Sequence, residues 1–256
     1  MHPGHSAHHR RKNTPPSDDY GLTEQHWPEA TLLGRLPEDS QRDLLRLGTV
    51  MEYPAHRTLL RQGDDGRHVL LITRGVVKVE SRSEDGYTML LAVRVAGDLV
   101  GEMAAFEDRP RSGSVIACGD VSARIIHLKT LTTHLSQHQT SMVALLGMLS
   151  SRLRWANRRR LDFRAYESPV RLARVLVETA QTYGCAAQGD VRRSDLGVTL
   201  TQAELASLAA VALPTAEKAL ATLAQMGLVE RRYRKITISD IPRLRAFAKI
   251  SAENPY

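Results

Sequence analysis

The sequence predicts an α+β chain in three zones: a run of short strands, one long helix, and a unit of three helices closed by a β-hairpin. Three observations carry this reading. Residues 48–130 hold short apolar, β-branched runs ending at turn residues, with Gly75, Gly86 and Gly97 eleven residues apart. Turns at that spacing belong to an all-β sandwich or barrel. Residues 137–165 place Met142, Leu146, Leu149, Leu153, Ala156, Arg160 and Phe163 at alternating steps of four and three, a helical seam of period 3.5. Beyond residue 168, helical patterns followed by a short hairpin give the order of a winged helix-turn-helix.

Composition narrows the class. The chain has 256 residues, 42% hydrophobic and 25% charged, which excludes a mainly disordered chain, a collagen-like chain and a disulfide-stapled miniprotein. No stretch approaches the ~18 consecutive apolar residues of a membrane helix. Cys118 and Cys185 are too few for a Cys-only zinc or iron–sulfur site. They read as small hydrophobes in a reducing compartment. Lys and Arg exceed Asp and Glu by 35 to 28, a net +7, which points to a polyanionic partner. Residues 1–20 are polar, contain Pro15 and Pro16, and lack the apolar core of a secretory signal. Residues 1–25 are therefore expected to be a disordered tail, its His2, His5, His8 and His9 capable only of adventitious metal binding, and the protein cytoplasmic.

Taken in order, strands are expected at residues 57–63, 68–75, 76–81, 88–97 and 123–128, with Glu84-Asp85-Gly86 as a hairpin tip. Before them, residues 29–47 read as short helices, Pro37 standing at a helix start. These elements form a domain over 26–136. The long helix, 137–166, is expected to pair with a second copy of the chain, because its apolar stripe is narrow and the rest is polar; the competing reading packs it on its own β domain. Residues 241–256 are an extension that reads as a short extra helix, and 167–240 form the third unit. Within it, 170–183 is an amphipathic helix, 184–197 loop-like, 200–226 two helices and 228–238 a hairpin. Thr201 and Glu204 make a capping box. Residues 209–212 are a tight turn, and Pro214 fits the first turn of the next helix, where its missing N–H is not needed. Ala216, Ala219, Leu220 and Leu223 form that helix's buried stripe, leaving Thr215, Glu217, Lys218, Ala221 and Thr222 outside.

Residues 101–115, GEMAAFEDRPRSGSV, are the most informative. A short helix from Glu102 would aim its first N–H groups at an anion. Arg111 can fork onto a phosphate, Glu102 can accept from a ribose hydroxyl, and Ser112 offers another hydroxyl. Arg111 and Glu102 could instead pair with each other. Gly101-Glu102-Met103-Ala104-Ala105, followed by Arg109-Pro110-Arg111-Ser112, resembles the phosphate-binding cassette of cyclic-nucleotide-binding domains. From about Leu36 to Ile238 the layout resembles the Crp–Fnr regulators: sensor β-roll (a cyclic-nucleotide-binding jelly roll), dimerisation helix, winged helix-turn-helix. The resemblance implies Glu102 on the ribose, Arg111 on the cyclic phosphate, and backbone N–H groups at Met103 and Ala104 nearby. It also places two base-contacting positions of the long helix at Ala156 and Asn157, of which only Asn157 has a polar side chain. The expected ligand set is Gly101, Glu102, Met103, Ala104, Arg111, Ser112, Arg152 and Asn157, for cyclic AMP or cyclic GMP as an allosteric ligand and with no cofactor.

The resemblance places the second helix of the pair in the DNA major groove. Its relatives commonly show Ser-Arg-Glu-Thr-Val there; this chain has Ala212-Leu213-Pro214-Thr215-Ala216. The guanine-reading Arg and cytosine-reading Glu are both missing, so the family's usual target does not transfer. The expected DNA face is Thr201, Gln202, Leu213, Pro214, Thr215, Glu217 and Lys218, with Arg231, Arg232, Arg234 and Lys235 on the wing. A further run, Arg152, Arg154, Arg158, Arg159, Arg160, Arg164, Arg171 and Arg174, crowds the hinge, either as a DNA-facing patch or as a solvated face. No nucleophile–base pair, metal-ligand cluster or P-loop is present, and His68, His127, His134 and His138 form no ligand motif, the last two being placed at the surface. The expected protein is not an enzyme but a DNA-binding regulator gated by a cyclic nucleotide. Its partners would be double-stranded DNA, the nucleotide and a second copy, with RNA polymerase a further candidate and no membrane. The alternative is a constitutive regulator whose sensor is vestigial or takes another ligand.

Overall fold

The computed structural model describes residues 27–187, 190–232 and 235–251. A 3-10 turn (Leu33–Arg35) and α1 (Glu38–Leu45) lead into eight strands: β1 (Thr49–Tyr53), β2 (Thr58–Leu60), β3 (His68–Arg74), β4 (Val76–Arg82), β5 (Thr88–Val95), β6 (Leu99–Val100), β7 (Ser114–Ala117) and β8 (Val121–His127). A short α2 (Glu102–Glu107) lies between β6 and β7. The strands form two antiparallel sheets, ordered β1-β8-β3-β6 and β2-β7-β4-β5. Their facing sides close on Leu60, Leu70, Ile72, Val77, Val100, Val115, Ala117, Val121 and Ala123. β1 carries no alternating apolar pattern because it is an edge strand, four of its five residues being exposed. That is why its run of residues gave no strand signal.

Two helices follow β8. α3 (Leu128–Gln137) was not anticipated; it stops at His138, whose φ of −123° and ψ of 87° break the helix before α4 (Gln139–Ala165) begins. The long helix thus falls where the seam placed it. Its inward residues are Ser141, Ala144, Leu145 and Met148, packed with Leu32, Leu33, Leu44, Leu131 and Leu135 in a second core. Most of the seam points outward, Leu146 being 56% exposed and Leu153 63%, with Met142 and Phe163 also exposed, while Leu149 packs on the second core. α4 therefore uses one face on its own domain and leaves another uncovered. His134, expected at the surface, is buried instead. Its ring stacks on His138 at 4.2 Å and its Nε2 lies 3.1 Å from Ser141 Oγ.

The third unit begins with α5 (Ser168–Tyr183), then β9 (Cys185–Ala187), β10 (Asp190–Asp195), α6 (Gln202–Leu208), α7 (Leu213–Gln225), β11 (Val229–Arg232), β12 (Lys235–Ile238) and α8 (Ile241–Phe247). The segment 184–197, read as loop, contains two strands that extend the wing into a sheet ordered β11-β12-β10-β9. Its polar composition hid them. The segment after Asp240 is not an appendage: Asp240 caps α8 by accepting from Arg243 N, and Leu244 and Ala248 are buried in the same core as Leu172, Leu176, Leu205 and Leu220. The capping box at Thr201 and Glu204 is present. Ala216, Ala219, Leu220 and Leu223 are the buried residues of α7, as the spacing requires.

Candidate functional site

β6 ends at Val100, and Gly101, with φ at +83°, turns the chain into α2. A side chain here is doubly excluded, by the left-handed backbone and because a Cβ would stand 2.7 Å from Arg111 Nη1. After α2 the chain returns along the β2–β3 loop, where Arg111 N donates to Asp64 O (3.0 Å) and Gly63 N donates to Arg111 O (2.9 Å). The Arg111 side chain turns inward and is 4% exposed. Its Nη1 donates to Gly101 O at 2.7 Å and its Nη2 to His68 O at 2.8 Å. Gly66 makes room for it, since a Cβ there would lie 2.2 Å from Nη2. Burial pulls the Arg111 pKa down, while the Glu102 and Asp64 carboxylates oppose the shift. His68 is likewise lowered, by burial and then by Arg111 and His127.

Glu102, 7% exposed, does not pair with Arg111 as one reading of the sequence had it. Its partner comes from α4: Arg152 Nη1 donates to Glu102 Oε1 at 2.6 Å. The same guanidinium reaches Asp98 Oδ1 at 3.0 Å and Leu99 O at 2.8 Å through Nη2. Burial disfavours the Arg152 charge, but the two carboxylates outweigh it and raise its pKa. Asp98, 5% exposed, is the residue the sequence reading left out. A carboxylate at the end of an apolar strand was the available signal. Of the remaining ligand candidates, Ala104 is buried, Met103 is 54% exposed, and Ser112 and Asn157 are exposed, Asn157 lying further along α4 beside the seam. The structure thus assembles Gly101, Glu102, Arg111 and Arg152, and does not bring Ser112 or Asn157 into their hydrogen-bond network.

A second cluster lies on the winged unit. Leu213, Pro214, Thr215, Glu217 and Lys218 are all exposed on α7. With its amide nitrogen toward α7, Gln202 donates to Glu217 Oε1 at 3.0 Å and accepts from Arg231 Nη2, joining α6, α7 and the wing. Thr201 is occupied by its capping box. On the wing, Lys235 Nζ pairs with Asp195 Oδ2 at 2.7 Å and Arg232 with Glu230 at 3.8 Å. Arg234 lies outside the described residues. Half of the eight hinge arginines are structural, Arg152 among them. Arg159 pairs with Glu178 and stacks on Trp155, Arg174 pairs with Asp162, and Arg171 donates to Ala210 O. Arg154, Arg160 and Arg164 are exposed.

Comparison with known proteins bears on both clusters. The family model for the cyclic nucleotide-binding domain matches residues 50–138, and that for the Crp-like helix-turn-helix domain matches residues 170–247. The CRP-like cAMP-activated global transcriptional regulator of Mycobacterium tuberculosis is 30% identical over 194 residues, covering 76% of this chain and 85% of that protein. The cAMP-activated global transcriptional regulator CRP of Salmonella typhimurium is 22% identical over 190 residues, covering 74% of this chain and 89% of that protein. Among solved structures, a CRP/FNR-family transcriptional regulator from Thermus thermophilus superposes with a TM-score of 0.62 at 24% identity, over 78% of this chain and 98% of that one. The chain belongs to the Crp–Fnr family of DNA-binding transcription regulators, carrying a cyclic nucleotide-binding domain ahead of a Crp-like helix-turn-helix domain.

Proposed function

We propose that this regulator binds DNA as a homodimer and that cyclic AMP, or else cyclic GMP, in the β-roll controls that binding. The observation that carries the reading is the burial of both Glu102 and Arg111 at Gly101, Glu102 as the next residue and Arg111 through its 2.7 Å bond to the Gly101 carbonyl. One offers a carboxylate to a ribose hydroxyl, the other a guanidinium to a cyclic phosphate. Arg152 connects this pocket to α4, the helix whose exposed seam fits a second copy. The relative from Mycobacterium tuberculosis is named for activation by cAMP, which favours that nucleotide.

The second reading, a regulator with a vestigial sensor or a different ligand, draws on one feature. Arg111 already donates to two backbone carbonyls, and Glu102 is already neutralised by Arg152. Titration calorimetry separates the two readings. Nucleotide gating predicts that the intact protein binds cyclic AMP or cyclic GMP. Arg111→Ala should weaken that binding roughly 10- to 100-fold, the worth of one or two hydrogen bonds to a charged group. No binding of either nucleotide by the intact protein favours the second reading.

A further inference from the structure

The winged unit is fastened to the sensor by more than α4. Tyr183, the last residue of α5, donates its hydroxyl to Val93 O on β5 at 2.8 Å, and Arg94 Nη1 donates to the same carbonyl at 2.9 Å. Ser207 Oγ on α6 accepts from Leu90 N on the same strand at 3.1 Å. Glu204 pairs with Lys78 on the neighbouring β4 through one carboxylate oxygen while the other caps α6. Leu90 and Val93 are buried in the core of the winged unit, not in the core between the two β-roll sheets. Thus β5 belongs to both bodies.

That strand runs directly into the nucleotide pocket. Past Val95 the chain turns, Asp98 N donating to Val95 O at 3.0 Å, and Asp98 then takes the Arg152 guanidinium. α5 is therefore held from two elements. α4 grips it through Arg159 with Glu178 at 3.5 Å and Asp162 with Arg174 at 2.8 Å, and β5 grips it through Tyr183. Between the grips lies a cavity of about 130 Å³ lined by Arg94, Asp98, Arg152, Trp155, Glu178 and Tyr183. A ligand hydroxyl on Glu102 would compete with Arg152 for that carboxylate and draw the guanidinium toward Asp98, three residues past β5.

We propose that Tyr183 is a coupling residue: through its hydrogen bond to Val93, the position of the DNA-binding unit follows the strand that leads to Asp98. The inference rests on the nucleotide gating proposed above. Its test uses the full chain, calorimetry with cyclic AMP and cyclic GMP, and anisotropy with a DNA duplex obtained by selection. The quantity read is the coupling factor, the ratio of DNA dissociation constants without and with the nucleotide. Tyr183→Phe deletes one hydroxyl and keeps the ring. The variant should bind nucleotide within about threefold of the wild type, while its coupling factor falls by about fivefold or more. Ser207→Ala, which removes the contact at the other end of β5, should also lower the coupling and decides the matter if Tyr183→Phe does not fold. Undiminished coupling in either folded variant overturns the proposal, as does loss of nucleotide binding in Tyr183→Phe, which would make Tyr183 part of the pocket. If the wild type binds neither nucleotide, or binds one without any change in DNA affinity, gating itself fails and the proposal falls with it.

Discussion

Arg152 donates to two carboxylates and a backbone carbonyl at once, all of them buried. Removing it strands Asp98 and Glu102 as unpaired charges, and breaking a buried ion pair in this way typically costs about 3–5 kcal/mol. Arg152→Met should therefore lower the melting temperature by roughly 6–20 °C for a chain of this size; a calorimetric scan showing no change would refute the role. Cys118 makes the opposite kind of prediction. Burial pushes its thiol up to about 11, with Lys78 beside it opposing and Glu204 and Glu80 adding to the shift. At neutral pH it should carry about 100-fold less thiolate than an ordinary cysteine. Peptide mass spectrometry after brief alkylation at pH 7.5 should find Cys118 unmodified. At this scale the sequence disclosed what is local. Gly101, Glu102 and Arg111 sit within one short cassette. Asp98 and Tyr183 acquire their roles from partners 54 and 90 positions away, and no spacing rule reaches that far.

The elements divide in the same way. The capping box of α6, the buried stripe of α7 and the seam of α4 depend on steps of three and four, and all were legible. β9, β10 and β1 were not, because a polar or edge strand owes its existence to its neighbours rather than to its own pattern. α8 was legible as a short helix, but its place in the core was not: two buried anchors, Leu244 and Ala248, give too little periodicity to show which face packs. The α3–α4 junction carries a pH prediction. Burial, and then the stacked His138, lower the His134 pKa, with Asp43 opposing. The unfolded chain therefore takes up the proton first as pH falls. Stability from the neutral ring is fully present above the unfolded value of about 6.5 and declines below it. The melting temperature should drop between pH 7.5 and 5.5, and the drop should be smaller in His134→Gln. Equal drops in the two proteins would rule out His134 as a source.

At the scale of the whole molecule, α4 presents Met142, Leu146, Leu153 and Phe163 to solvent along one stripe. Apolar surface of this extent on a rigid helix is the mark of a partner. Leu146→Glu combined with Leu153→Glu should convert a dimer to a monomer in sedimentation equilibrium, leaving helix content unchanged. A monomeric wild type would remove the dimer from the account. If the exposed basic wing meets phosphates, DNA affinity should depend on salt. Each phosphate neutralised adds about 0.9 to the slope of log affinity against log salt, so Arg232→Ala should reduce that slope by about one unit.

The measurement that bears most directly on the account is the dissociation constant for a selected DNA duplex, taken with no nucleotide, with saturating cyclic AMP and with saturating cyclic GMP. A pocket built on Glu102, Arg111 and Arg152, joined through α4 and β5 to the winged unit, predicts that one of the two tightens binding by roughly 5- to 150-fold, the range of ordinary allosteric coupling. Identical constants under all three conditions would contradict it.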